Sequence, residues 1–147
     1  MRYTPEGELF TEIVLELFKL SGLLVCEGDK LTKDLGLSSA RWKVLGALAL
    51  SNQPLTVAEI ARSMGQTRQG VQRLTDEMEQ EGILAYKDNP KHKRAKLVDL
   101  TPKGKKIYNK LEQKQIPWAN SNSYDMSAKD MQRTLFVLRQ MTQGLEG

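Results

Sequence analysis

The chain has 147 residues, 39% of them hydrophobic and 27% charged, with one cysteine and a net charge of +4. Such a length and balance suit one globular domain with a real core, and no apolar run approaches the roughly 18 residues that a membrane span needs. Glu6 and Glu8 stand where an export signal carries basic residues, and a lone cysteine excludes an internal disulfide, so a reducing cytoplasm is the expected compartment.

Leu9, Ile13, Leu17, Leu20 and Leu24 recur at helical spacing and predict an amphipathic helix over 8–26, ended by Gly28-Asp29. Ser38 or Ser39 caps a second helix that carries Trp42, Val44, Leu45, Leu48 and Leu50, and Asn52-Gln53-Pro54 breaks it. Thr56-Val57-Ala58-Glu59 has the form of a capping box, in which threonine accepts from the glutamate amide and the glutamate reaches back. A short helix therefore runs to about Met64. Gly65 turns the chain, Thr67 caps a longer helix over 68–81, and Gly82 stops it.

Residues 83–87 and 95–100 read as two short strands joined by the turn-forming, basic stretch 88–94. Thr101-Pro102 supplies a cap and a first-turn proline for another helix, expected to end near Pro117. Residues 118–124 look irregular. Ser127 starts a last helix with Met131, Leu135, Leu138 and Leu145 on one side.

The two helices around Gly65 form a helix-turn-helix. Ile60, Ala61, Met64, Val71 and Leu74 face inward, and Ala61 is small where the helices approach closely. The second helix turns Arg68, Gln69, Gln72 and Arg73 outward, side-chain types that read guanine and adenine edges in a major groove. A strand pair with a basic tip follows at once, which makes the unit a winged helix. The charge agrees with that reading. Residues 87–110 hold nine Lys or Arg against Asp88 and Asp99, a local +7 that leaves −3 for the rest of the chain.

The run from Asp88 to Gly104, with its acidic start, basic tip and Leu100-Thr101-Pro102-Lys103-Gly104 end, resembles the wing of the MarR family of bacterial regulators. Gly65-Gln66-Thr67-Arg68-Gln69-Gly70-Val71 is similar to that family's turn and recognition-helix start. The resemblance implies a mainly α fold with a small β-hairpin wing, in which 38–100 form the DNA-binding lobe. The flanking segments 8–28 and 102–147 would then be dimerisation helices of a homodimer, all within one domain spanning 1–147.

It also implies a double-stranded DNA partner, a pseudo-palindromic operator, repression, and modulation by a small-molecule or stress signal. Thr67, Arg68, Gln69, Gln72 and Arg73 are the expected contacts of the recognition helix. Lys91, His92, Lys93 and Arg94 are those of the wing, with Arg94 in the minor groove. The tip departs from the family's usual Asp-Arg-Arg: it reads His92-Lys93-Arg94, which removes the acid for an internal acid–arginine brace.

Three residues have competing readings. Cys26 lies among Leu23, Leu24 and Val25, which offer no stabilisation of a thiolate, and reads as a buried structural thiol; the alternative is a redox sensor. His92 is the only histidine and has no Cys or His partner for a metal, so it reads as a phosphate contact. Trp42 lies where relatives form a ligand cavity, although core packing is the simpler role. No phosphate loop, nucleophile elbow, metal cluster or His-based triad occurs, so neither enzyme activity nor a cofactor is expected. The competing function is a winged helix that docks protein rather than DNA.

Overall fold

The computed structural model describes residues 1–146. It contains six helices and three short strands: α1 (Pro5–Thr32), α2 (Ser39–Ser51), β1 (Leu55–Thr56), α3 (Val57–Met64), α4 (Arg68–Gln80), β2 (Leu84–Lys87), β3 (Leu97–Leu100), α5 (Pro102–Ser123) and α6 (Ala128–Glu146). A single 3-10 turn, Lys33–Leu35, links α1 to α2. The residues form two compact units, Met1–Glu112 and Gln113–Gly147.

The first unit is built around α2, α3, α4 and the sheet. Val44, Leu45, Ile60, Val71, Met78 and Val98 are fully buried, and Leu111 of α5 joins them. The antiparallel sheet has the order β1-β3-β2, with Tyr86 opposite Val98 and Leu55 opposite Val98 on the other edge. Strand β1 is too short to carry periodicity. It exists because β3 offers it an edge immediately before α3 begins.

The caps read from the sequence are present. Thr56 Oγ1 accepts from the Glu59 N–H at 3.1 Å while Glu59 Oε1 accepts from the Thr56 N–H at 3.0 Å. Thr67 Oγ1 accepts from the Gly70 N–H at 3.1 Å, and Ser38, rather than Ser39, caps α2. Gly65 takes φ +65° and ends α3, a left-handed conformation that costs glycine nothing.

Three expectations need correction. Helix α1 does not stop at Gly28-Asp29 but continues to Thr32. Its Gly28 serves close packing: a Cβ there would lie 2.3 Å from Ser39 Oγ. Ser39 Oγ donates to the Val25 carbonyl at 2.7 Å, and Asp29 Oδ1 accepts from the Ser39 N–H at 2.8 Å. The two residues that resemble a terminator are therefore a docking point for α2.

Helix α5 passes through Pro117 to Ser123. An interior proline removes one helix hydrogen bond and costs roughly 3 kcal/mol, yet residues 118–123 of the stretch expected to be irregular are helical, with Asn122 and Ser123 side chains donating to the Trp118 and Ala119 carbonyls. Cys26 is exposed, not buried. The line of α1 that meets α2 runs through Val25, Gly28 and Asp29, and Cys26 lies off it.

Candidate nucleic-acid interface

Helix α4 has two faces. Val71, Thr75 and Met78 are buried, while Thr67, Arg68, Gln69, Gln72 and Arg73 are all exposed. Positions 71, 75 and 78 share one side of a 3.6-residue helix and 69, 72 and 73 turn away from it, whereas Arg68 lies at the edge of the buried side and is exposed as the first residue of the helix.

Side chains of α2 and of the start of α5 hold the carboxyl end of α4 and the residues just after it. Arg41 of α2 donates to Glu81 Oε1 at 2.9 Å and lies 3.5 Å from Glu77. This guanidinium holds the Glu81 carboxyl below its ordinary range. Lys103 Nζ donates to the Glu81 carbonyl at 2.8 Å, a cation on the negative end of the helix. Thr101 Oγ1 donates to the carbonyls of Gly82 and Ile83. The recognition-type helix is thus anchored to α2 and to the start of α5.

The wing tip is a sequence of tight turns. Asn89 Oδ1 accepts from the Lys91 N–H at 3.1 Å, and the His92 and Ala95 amides close turns onto the Asn89 and His92 carbonyls. Lys91, His92, Lys93 and Arg94 are all exposed. At the base of the wing, Lys87 Nζ donates to Asp99 Oδ2 at 2.7 Å. Burial opposes ionisation of Asp99, but the bonds from Lys87 and from the Leu100 N–H hold its carboxyl below the usual value. The basic block is therefore not uniform: Lys87 and Lys103 have structural partners, while Lys91, Lys93, Arg94 and Lys96 of the wing and Lys105, Lys106 and Lys110 of α5 are exposed.

Between α4 and the wing lies a cleft of about 550 Å³, lined by Arg68, Gln72, Tyr86, His92, Arg94 and Lys96 together with the start of α3. Of the residues singled out in the sequence, Arg68, Gln72, His92 and Arg94 come together here. Gln69, Arg73 and Lys91 do not line it, and Lys93 lines a separate hollow with Asp88, Asn89 and Pro90.

Sequence reasoning missed Tyr86, Asp76 and Lys96. Tyr86 OH lies 2.8 Å from Thr75 Oγ1, donates to Asp76 Oδ1, and accepts from Gln72 Nε2 at 3.1 Å. Gln72 Nε2 also donates to Asp76 Oδ1 at 2.9 Å. Burial, followed by the Asp76 bond, pushes the Tyr86 hydroxyl up to about 12, so it stays a neutral donor near neutral pH. The period-2 alternation of β2, which puts Leu84 and Tyr86 on one face, was the available signal. Trp42 is half-buried and packs against the core. Among the described residues no group of three or more His, Cys, Asp or Glu could hold a metal, and no helix is long and apolar enough to cross a membrane.

Comparisons with known proteins agree with this geometry. Rv2011c of Mycobacterium tuberculosis is 31% identical over 134 residues, covering 91% of this chain and 92% of that protein. A MarR-family transcriptional regulator from Silicibacter pomeroyi superposes with a TM-score of 0.82 at 21% identity, over 96% of this chain and 93% of the other. CouR from Rhodococcus jostii, solved bound to p-coumaroyl-CoA, gives a TM-score of 0.79 at 18% identity, over 88% of this chain and 91% of its own. Residues 35–95, which span α2, α3, α4 and the wing, match the sequence model of the MarR family. With the helix-turn-helix, the wing and these matches in agreement, the chain belongs to the MarR family of DNA-binding, winged-helix transcriptional regulators.

Proposed function

We propose that the protein is a cytoplasmic, homodimeric repressor that reads a pseudo-palindromic operator through α4 and grips the adjacent backbone and minor groove through the wing. The observation that carries this reading is the cleft in which Arg68, Gln72, His92 and Arg94 converge beside the exposed face of α4. Its lining includes Arg68, Arg94, Lys96 and the Gln72 amide, groups that suit phosphate and base edges. Thr67, Arg68, Gln69, Gln72 and Arg73 are assigned to the major groove. Lys91, His92 and Lys93 are assigned to phosphates, and Arg94 to the minor groove.

The flanking helices are assigned to pairing. Helix α1 exposes Leu9, Phe10, Phe18, Leu20 and Leu24, and α6 exposes Met131, Leu135, Phe136 and Leu145. So much exposed apolar surface on a single chain supports a partner, and a second copy meets the symmetry of such operators. CouR, of like fold, was solved with a small acyl-CoA ligand, which supports control by a small molecule that shifts the spacing between two half-site readers.

Selection of binding sites from random duplex DNA tests the reading. The expected product is two inverted half-sites about one helical turn, roughly 10 base pairs, apart. Enrichment of a lone half-site would refute the dimer, and no enrichment would refute sequence-specific binding. Repeating the selection with candidate aromatic acids and acyl-CoA esters tests the effector.

A further inference from the structure

Among the cations of the wing tip stands the sole histidine of the chain, His92. Its main chain is fixed on both sides: the His92 N–H donates to the Asn89 carbonyl at 3.2 Å, and the His92 carbonyl accepts from the Ala95 N–H at 3.3 Å. Its ring has no hydrogen-bond or ion partner among the described residues, and it lines the cleft between α4 and the wing.

The charges around that cleft are one-sided. Helix α4 contributes Arg68 and the wing contributes Arg94 and Lys96, with Lys91 and Lys93 exposed on either side of His92 in the chain. No carboxylate lines the cleft among the described residues. Glu59 of α3 is turned to Thr56, accepting from its N–H and its hydroxyl at 3.0 Å. Asp76 of α4 accepts from Gln72 and Tyr86, and Asp88 lines the separate hollow with Lys93. Tyr86 of β2, pushed up to about 12, stays neutral.

Such a cleft disfavours a further positive charge on the free protein and favours one once a phosphodiester enters. Imidazole is the side chain that ordinarily changes charge between about pH 5 and 8. The other groups of kinds that titrate near neutrality, the Met1 amine and the Cys26 thiol, do not line the cleft.

We propose that His92 is a proton-linked phosphate contact: the wing takes up a proton there as it meets duplex DNA, so the protein binds DNA more tightly at mildly acidic than at mildly alkaline pH. The state that binds more protons gains as pH falls. The charged ring donates a charge-assisted hydrogen bond to a phosphate oxygen, stronger than the bond a neutral ring offers. Lysine and arginine side chains ordinarily keep their charge throughout that range, so the histidine alone ties the grip of the wing to pH. This inference rests on the assignment of the wing to the DNA backbone and adds a proton to one of its contacts.

The test is affinity for a mixed-sequence duplex at low salt, since a backbone contact needs no operator. It is measured from about pH 8 down to about pH 6 for the parent, His92→Gln and His92→Lys, each shown by thermal melting to be folded at both ends of the range. The parent should bind at least about threefold more tightly at the acidic end, and its slope of log K against log salt should steepen there by about 0.9 per wing. His92→Gln should lose the rise and stay as weak as the parent at the alkaline end. His92→Lys should lose it too, yet bind more tightly than His92→Gln throughout.

A parent affinity that is equal at both ends overturns the proton linkage and leaves DNA binding in place. A rise that survives in His92→Gln gives the proton to another group and overturns it as well. A parent that binds the duplex at neither end overturns the assignment of the wing to DNA on which the inference rests.

Discussion

Gly104 is the residue whose replacement the structure prices most directly. A Cβ at this position would lie 2.2 Å from the Ile83 carbonyl oxygen and 3.3 Å from Leu100 Cδ2. The Ile83 oxygen is backbone and cannot rotate away. It also accepts from the Thr101 N–H at 3.1 Å and from Thr101 Oγ1 at 3.0 Å, while Thr101 Oγ1 caps α5 by accepting from the Gly104 N–H at 3.0 Å. Gly104→Ala must therefore separate the first turn of α5 from the link between α4 and β2.

Overpacking costs about 1–3 kcal/mol, and loosening one or two hydrogen bonds adds about 1 kcal/mol each. The gain in helix propensity returns roughly 0.5–1 kcal/mol. The net is a loss of about 2–3 kcal/mol, or a fall of roughly 5–10 °C in Tm for a chain of this size. Thermal unfolding followed by far-UV circular dichroism at fixed protein concentration measures it. Gly46→Ala in mid-α2, where a Cβ meets nothing within 4 Å, is the control and should melt at or slightly above the parent. A Gly104→Ala protein that melts within about 2 °C of the parent, against the fall of roughly 5–10 °C expected, refutes the steric argument.

Arg94→Ala should weaken DNA binding, reduce the slope of log K against log salt by about 1, and leave the melting temperature nearly unchanged, because Arg94 is an exposed cleft-lining cation; an unchanged slope removes it from the interface. Arg73→Ala should flatten base preference at one position per half-site by about 1–3 kcal/mol, read from quantitative binding to single-substitution operators, and an unchanged profile denies it a base contact.

Glu81→Gln should lower stability by less than about 1 kcal/mol, since Glu81, the acidic partner of Arg41, is half exposed. Because Arg41 lowers the folded Glu81 pKa, its contribution is complete above the ordinary glutamate range and is lost as pH falls through the lowered value. Parent and variant stabilities measured by urea unfolding should therefore differ near pH 7 and converge near pH 3. A constant difference across that range contradicts the ion pair.

What could be read from the chain alone was local. Thr56 with Glu59, Thr67, Gly65 and the strand pair around the wing signal themselves within four to seven residues, and the structure has each of them. What could not be read depended on a distant partner. Gly28-Asp29 resembles a stop signal because glycine and aspartate usually end helices, yet here one makes room for Ser39 and the other bonds its amide. Pro117 resembles a stop signal too, yet α5 continues through it to Ser123. Gln72 was identified as outward-facing, but the residue that fixes its amide, Tyr86, is 14 residues away and arrives only when β2 packs beside α4.

The division of α4 into two faces bears on how such a protein acquires a new target. Arg68, Gln69 and Arg73 are exposed and make no bond to Asp76 or Tyr86 among those described, so each can be exchanged with little effect on its neighbours. Gln72 is less independent, because its amide bonds both the Asp76 carboxylate and the Tyr86 phenol and its exchange removes that contact from both. Retargeting at the first three positions should therefore be additive, and at Gln72 it should be epistatic, with substitutions at 72 succeeding only in company with changes at 76 or 86. The same short helix thus holds three interchangeable letters and one that is spelled by a group.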